Sequence, residues 1–243
     1  MLEKSMVPRH VAIILDGNRR FAKKLVLEPW KGHSYGKKRV EELLDYAKEF
    51  GVREITFYCL SSENLNRPVK ELDYLYDLFR ETFRGMDRSR LNEEGVCLKF
   101  IGDLDLLPSD LKDICVELEN CSSEGNRFIV NFCIAYGGRA EIVRAVRRIV
   151  ESGVRDVDSE VVEKNLLLSS EPDLIIRTGG QKRISNFLLW QGAYSEWIFL
   201  DKMWPEVCRD DFVECVEEFG KRKRNFGVVM ETMNVIYVVL MKK

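Results

Sequence analysis

The sequence predicts one α/β domain built on a mostly parallel sheet of about six strands flanked by helices. Three observations lead there. Short β-branched or apolar runs alternate with longer stretches of helical periodicity. Those runs are nearly continuous in apolar residues, as in strands covered on both faces. The length of 243 residues, with 45% hydrophobic side chains, suits a single globular unit spanning 1–243. Within it, 228–243 reads as a C-terminal extension used for packing or at an interface.

The elements follow in order. His10–Leu15, apolar without a break from Val11 on, reads as the first strand. Gly36–Phe50 reads as a helix because Val40, Leu43, Leu44 and Ala47 recur at helical spacing. Strands are expected at Glu54–Leu60, Val96–Ile101, Phe128–Cys133, Asp173–Ile176 and Glu196–Leu200, with helices at Leu72–Leu91, Ser109–Cys121 and Arg139–Glu151. Strands alternating with helices imply right-handed crossovers in one sheet.

Composition narrows the function classes. Lys+Arg (38) nearly balances Asp+Glu (40) for a formal net charge of −2, so the broad basic footprint of a nucleic-acid binder is missing and no nucleic-acid partner is expected. No stretch approaches the roughly 20 apolar residues of a membrane span, and Met1–Ser5 carries no signal-peptide core. The seven cysteines form no Cys-x-x-Cys pair and read as reduced, buried thiols of a cytoplasmic protein. The two histidines, His10 and His33, stand apart from paired cysteines, which argues against a zinc site.

An open α/β sheet binds ligands at the carboxyl ends of its strands. After the first strand come Asp16-Gly17-Asn18-Arg19-Arg20-Phe21. The acid suits Mg²⁺, and the helix start and arginines suit anionic oxygens. A capped helix start with two solvated arginines explains the segment equally well. After the second strand, Ser61 to Pro68 is a dense hydrogen-bonding cluster or simply a polar turn. After the fifth, Arg177-Thr178-Gly179-Gly180-Gln181-Lys182-Arg183-Ile184-Ser185-Asn186 makes a diphosphate cradle. Glu196 opens the last strand and offers a second metal carboxylate, although a lone Glu is more often a surface residue.

Two decoys fall away. Gly32-His33-Ser34-Tyr35-Gly36 matches the nucleophile elbow of α/β-hydrolases, yet both histidines precede Ser34 where that fold needs one after it. Pro29 also argues against a central strand just before it. Asp210-Asp211-Phe212-Val213-Glu214 is close to the aspartate-rich motif of all-helical prenyl synthases. It occurs once, in a strand-rich chain, and more simply favours a helix N-terminus.

From about Val7 to Gly227 the chain resembles the cis-prenyltransferases, the undecaprenyl and dehydrodolichyl diphosphate synthases. The carriers are His10–Phe21, Gly32–Gly36, Ser61–Pro68, Ile101–Leu104, Tyr136–Arg139, Asp173–Gly180, Arg183–Gln191 and Tyr194–Glu196, eight segments in order. The resemblance implies a transferase that condenses isopentenyl diphosphate with an allylic prenyl diphosphate into a Z-polyprenyl diphosphate, a glycosyl carrier lipid precursor. It further implies Mg²⁺, a homodimer, peripheral membrane contact for product release, and a hydrophobic tunnel walled by the aromatic and leucine side chains of Leu72–Phe83. By the same resemblance, Asp16 and Glu196 hold the metal, and Asp16, Asn18, Ser61 and Asn64 are catalytic. Gly17, Asn18, Arg19 and Arg20 match the allylic diphosphate site, with Asn18 and His33 near the reacting groups and Phe21 among the substrate-binding residues. Arg67 joins Ser61 and Asn64 in a cluster for substrate positioning and proton removal, and Arg177, Arg183 and Ser185 hold isopentenyl diphosphate.

Several positions depart from the family pattern. Pro29 stands where many members carry an arginine, with Lys31 or Arg19 as substitutes. Gln181-Lys182 replaces Glu-His, Leu65 replaces Trp, and Asn225-Phe226-Gly227 replaces Arg-x-Gly. These departures keep two further readings open: a short-chain or irregular condensation on an unusual acceptor, and a subunit of a heteromeric prenyltransferase. The retained Asp16-Gly17-Asn18 segment argues against the second.

Overall fold

The computed structural model describes residues 7–223. Asn225 and the 228–243 extension therefore lie outside the described residues. Six strands form one sheet: β1 (His10–Ile14), β2 (Glu54–Ser61), β3 (Val96–Ile101), β4 (Phe128–Tyr136), β5 (Leu174–Arg177) and β6 (Glu196–Phe199). Their spatial order is β3-β4-β2-β1-β5-β6, and every pairing is parallel. All five residues of β1 are buried, as expected at the centre of a sheet covered on both faces.

The helices are α1 (Asn18–Lys24), α2 (Gly32–Phe50), α3 (Val69–Arg84), α4 (Arg88–Glu94), α5 (Ser109–Ser122), α6 (Gly138–Ser152), α7 (Ser159–Asn165) and α8 (Arg209–Lys221). The larger core packs Val11 and Ile13 of β1 under Leu43, Leu75, Phe79, Phe83, Leu118 and Phe212. The opposite face carries Ala12, Ile14, Tyr58 and Ile175 beneath Leu168, Phe187 and Leu188. The split follows the period of two along each strand.

One helix expectation needs correction. Leu72–Leu91 is two helices, because the chain breaks at Gly85 and Asp87 caps α4, its carboxylate accepting from the amides of Ser89 and Arg90 at 3.0 and 3.2 Å. β4 also runs on to Tyr136, past the expected end at Cys133, with register shifts against β2 near Leu60. Ser34, the false nucleophile, lies in the first turn of α2 and donates to Lys31 O at 2.8 Å.

At the amino edge of the sheet, His10 is 3% exposed and its Nε2 shares a 2.7 Å hydrogen bond with the Thr56 hydroxyl. Asn131 donates to the same hydroxyl and to Glu54. Burial pushes the His10 pKa below 6.5, with Glu54 pulling the other way. The unfolded chain therefore takes up this proton first as pH falls. Stability from His10 is complete above about 6.5 and declines below it, by at most about 1.4 kcal/mol per pH unit. Urea midpoints between pH 7.5 and 5.5 should fall more steeply in the wild type than in His10→Gln; equal slopes would contradict this.

Candidate active site

β1 and β5 are neighbours whose onward connections leave in opposite directions, to β2 on one side and β6 on the other. Such a switch point opens a crevice at the carboxyl ends of the two strands. Asp16 lies just past β1 and Arg177 ends β5, so the crevice brings them together. Arg177 Nη2 donates to Asp16 Oδ2 at 3.0 Å, and Arg20 Nη2 donates to Asp16 Oδ1 at 3.1 Å. Arg20 also donates to Gly179 O at 2.7 Å. The backbone is tightly set: the Thr178 hydroxyl and the Trp204 amide both donate to Asp16 O. Gly17 is required here, since its φ is +112° and a Cβ would stand 2.7 Å from Met203 Cβ.

Two cavities adjoin at this point. The smaller, about 380 Å³, is lined by Asp16, Gly17, Asn18, Arg19, Arg20, Lys23, His33 and Arg67 among others, and is strongly basic. The larger, about 1050 Å³, shares Asp16, Asn18, His33 and Arg67, and then runs between α2 and α3 past Val40, Leu44, Leu75, Phe79 and Phe83. Its volume stands at the top of the roughly 300–1,000 Å³ range of drug-sized ligand sites. Asn18 is 8% exposed; its Nδ2 donates to Leu15 O while its Oδ1 has no partner. Gly36 leaves room for that oxygen, because a Cβ there would lie 2.5 Å from it.

Arg177 is 3% exposed, an unusual depth for a guanidinium. Its Nη1 donates to Ser185 Oγ at 2.7 Å and to Arg183 O. Ser185, Asn186 and Leu188 all have positive φ, from 42° to 60°, a strained course for non-glycine residues. Asn186 pins it, donating to Glu63 Oε1 at 2.7 Å and accepting from the Arg139 amide at 2.9 Å. Ser61, Asn64, Arg183 and Ser185 line the mouth of the large cavity with Glu63. Burial raises the Glu63 carboxyl, but hydrogen bonds from its own amide and from Asn186 bring it net below its usual range.

This is a cation-rich crevice opening on an apolar hollow, which suits a molecule with a polyanionic head and a hydrocarbon tail. Comparison with known proteins agrees. The family model described as "Putative undecaprenyl diphosphate synthase" matches residues 14–227. The chain belongs to that family. It is thus a prenyl transferase. Among its relatives, a tritrans,polycis-undecaprenyl-diphosphate synthase (geranylgeranyl-diphosphate specific) of Pyrococcus abyssi is 44% identical over 93% of this chain and 90% of its own length. An isoprenyl transferase of Aquifex aeolicus is 40% identical over 93% and 98%. Lavandulyl diphosphate synthase from Lavandula x intermedia, solved with dimethylallyl diphosphate, superposes with a TM-score of 0.87 at 31% identity, covering 92% of this chain and all of that one.

In this cis-prenyltransferase the structure gathers most of the residues singled out in the sequence around the two cavities. Two stand apart. Phe21 packs edge-on against Tyr35, with ring centroids 5.4 Å apart, and lines neither cavity. Glu196 is at the amino end of β6, paired in register with Leu174, roughly 15 Å of strand from the edge where Asp16 lies. Its carboxylate accepts from Arg222 at 2.7 Å. Within one chain the two carboxylates do not meet. Mg²⁺ is commonly held by one or two carboxylates plus substrate phosphates. Asp16, 27% exposed and facing both cavities, fits that donor role. Of the two substitutes for the arginine replaced by Pro29, Arg19 lines the basic niche and Lys31 does not.

Sequence reasoning missed Glu71 on α3. Its side chain is 2% exposed and stands 3.0 Å from Arg67, 3.6 Å from Arg19 and 3.8 Å from His33. The His33 contact and then the two arginines hold its carboxyl below the usual range. Burial, against the pull of Glu71, keeps the His33 pKa below 6.5. Glu71 thus ties three basic groups of the niche to one helix. Glu71→Ala should lower stability by about 1–3 kcal/mol, the cost of leaving hydrogen-bonded charged groups without their partner. An unchanged denaturation midpoint would remove it from that role.

Proposed function

We propose that the protein condenses isopentenyl diphosphate with an allylic prenyl diphosphate and extends it by Z units to a polyprenyl diphosphate, a precursor of glycosyl carrier lipids. The observation that carries this reading is the junction at Asp16, Asn18, His33 and Arg67, where a basic niche and a long apolar cavity share a wall. The niche suits the allylic diphosphate, and the cavity between α2 and α3 suits its tail. The cradle of Arg177, Arg183 and Ser185 suits the second diphosphate.

The chemistry follows from that placement. The allylic C1–O bond breaks and its electron pair leaves with the diphosphate. The terminal double bond of isopentenyl diphosphate attacks C1, and the C2 proton passes to an oxygen of the departed diphosphate, its C–H electron pair forming the new double bond. Arg19, Arg20 and Lys23 meet the negative charge that develops on the leaving group, in a site preorganised before reaction. Asp16 would hold Mg²⁺, which would supply further positive charge toward that leaving group. Ser61 and Asn64 stand at the cavity mouth to position the substrate for proton loss. The apolar wall excludes water that would capture the allylic cation.

The short-chain or irregular reading draws support from Pro29 and Gln181-Lys182 and from the likeness to lavandulyl diphosphate synthase. The size of the apolar cavity favours the long-chain reading instead. A homodimer is the assembly proposed. Its support is the face of α6 that exposes Val143, Val146 and Val150 at 51, 50 and 72%, unusual in a run along one helix. No described helix is long and apolar enough to cross a membrane, so membrane contact for product release is proposed as peripheral.

The test is incubation of the full chain with Mg²⁺, labelled isopentenyl diphosphate and geranyl, farnesyl or geranylgeranyl diphosphate in turn. Chromatography against Z and E standards should show multiple Z additions. Products with a single addition or an irregular linkage would select the other reading, and no incorporation with any primer would reject both.

A further inference from the structure

Helix α1 closes with a turn that its sequence does not suit. The amides of Val26 and Leu27 donate to Lys23 O and Ala22 O at 3.0 and 2.9 Å. This closure puts the residue after the helix in the left-handed region, where glycine or asparagine is usual. Here that residue is Val26, at φ +58°. Among the described residues it is the only β-branched one with positive φ, a genuine outlier for a branched Cβ. Packing within the chain does not offset the strain, because Val26 is 93% exposed and Leu25 beside it is exposed as well.

The surroundings are apolar at the tip and basic around it. The turn Pro29–Lys31 packs against both α1 and α3. Its Trp30 lies under Lys70, whose ammonium is 4.9 Å from the ring centroid, and the adjoining Val69 is 72% exposed. Lys23, Lys24, Lys31 and Lys70 are all exposed, as is the acidic Glu28. Glu206 accepts from Lys24 at 2.7 Å, while Lys23, Lys31 and Lys70 make no ion pair among the described residues. Lys23 also lines the basic niche, so the tip follows directly on a wall of that niche. The α6 face proposed for the homodimer lies elsewhere. Glu141 of α6 accepts from the Leu168 amide on one side of the sheet, whereas α1 packs on α2 over the larger core on the other.

We propose that Leu25 and Val26 form a wedge that enters the surface of an anionic phospholipid bilayer, flanked by Trp30 and Val69 and held by Lys23, Lys31 and Lys70. This deepens the peripheral membrane contact proposed above and rests on that part of the reading. A side chain as exposed as Val26 protrudes, which suits a fluid surface that closes around it. Apolar side chains at such a tip gain by leaving water for the acyl boundary. Tryptophan favours the interface, and lysines extend their charges to the headgroup phosphates. The contact sets the niche beside the phase in which a prenyl diphosphate with a long hydrocarbon tail dissolves.

The experiment is sedimentation of the full chain with sucrose-loaded phosphatidylcholine vesicles, with and without phosphatidylglycerol, in the absence of substrate. The wild type should sediment with the anionic vesicles, and added salt should weaken this. Leu25→Ser/Val26→Asn should lower the partition by about tenfold. Its thermal midpoint should equal or exceed that of the wild type, because asparagine tolerates the left-handed region. A damaged fold would instead lower the midpoint. Lys31→Glu/Lys70→Glu keeps the apolar tip and tests the surface independently: the preference for anionic over neutral vesicles should vanish, and its persistence overturns the proposal. Wild-type partition in the tip variant overturns it too, as does equal binding of the wild type to both vesicles. A wild type that binds neither vesicle but forms a larger oligomer than the tip variant carries a second copy on this surface, which also overturns it. The assay involves no turnover, so its failure leaves the condensation reading standing. A chain that binds vesicles but incorporates no isopentenyl diphosphate fails the condensation reading alone.

Discussion

Asp16→Ala should lower kcat by roughly 10²–10⁴-fold, about 3–5 kcal/mol of transition-state stabilisation. The carboxylate stands where the two cavities join and is the anion that Arg20 and Arg177 share. Its loss removes the proposed Mg²⁺ donor and lets both guanidinium groups drift from the positions that meet diphosphate oxygens. The fold should survive, because Arg177 keeps its bonds to Ser185 and Arg183 O and the Asp16 backbone remains anchored by Thr178 and Trp204. Steady-state kinetics beside a circular dichroism melt checks this. Near wild-type turnover that chelators still abolish would show that the metal is held elsewhere.

The second large effect is a division of labour between the basic clusters. Arg20 and Arg183 are the clean probes, one in the niche and one at the mouth of the large cavity. Arg20→Ala should raise KM for the allylic diphosphate, and Arg183→Ala should raise KM for isopentenyl diphosphate. Each change should match the loss of a charge-assisted contact, about 1.5–3 kcal/mol or roughly 10- to 150-fold. Arg177→Ala should differ in kind. That guanidinium is buried and bonded to Asp16, so its removal should lower kcat as well as raise KM for isopentenyl diphosphate. If all three variants weaken the allylic substrate alone, the two-site map is wrong.

What the sequence made legible was whatever local pattern controls. The unbroken apolar run from Val11 to Leu15 marks a central strand, and β1 is fully buried. Polar clusters directly after β1, β2 and β5 converge because parallel strands share a carboxyl edge. The break at Gly85 was hidden because apolar spacing continues through Met86 and Leu91, while the cap on Asp87 is a local hydrogen bond rather than a periodic signal. Glu71 reads in sequence as one more charge on an amphipathic helix. Only the packing of α3 against α2 and the segment after β1 turns it inward toward Arg19 and His33. The left-handed run at Ser185, Asn186 and Leu188 contains no glycine to announce it and is imposed by contacts from Glu63, Arg139 and Arg177. Glu196 was expected at the metal because its segment fits the family pattern. It opens a strand rather than following one, and that places it at the opposite edge of the sheet.

The central claim is that an allylic diphosphate binds at Asp16 with its tail between α2 and α3. A crystal structure of the full chain with an unreactive thiodiphosphate analogue of geranylgeranyl diphosphate and with isopentenyl diphosphate tests it most directly. The account predicts the analogue's diphosphate among Arg19, Arg20 and Lys23, the second diphosphate against Arg177, Arg183 and Ser185, and the tail along Leu44, Leu75 and Phe79. A tail lying outside the α2–α3 cavity, or both diphosphates in one cluster, would contradict it.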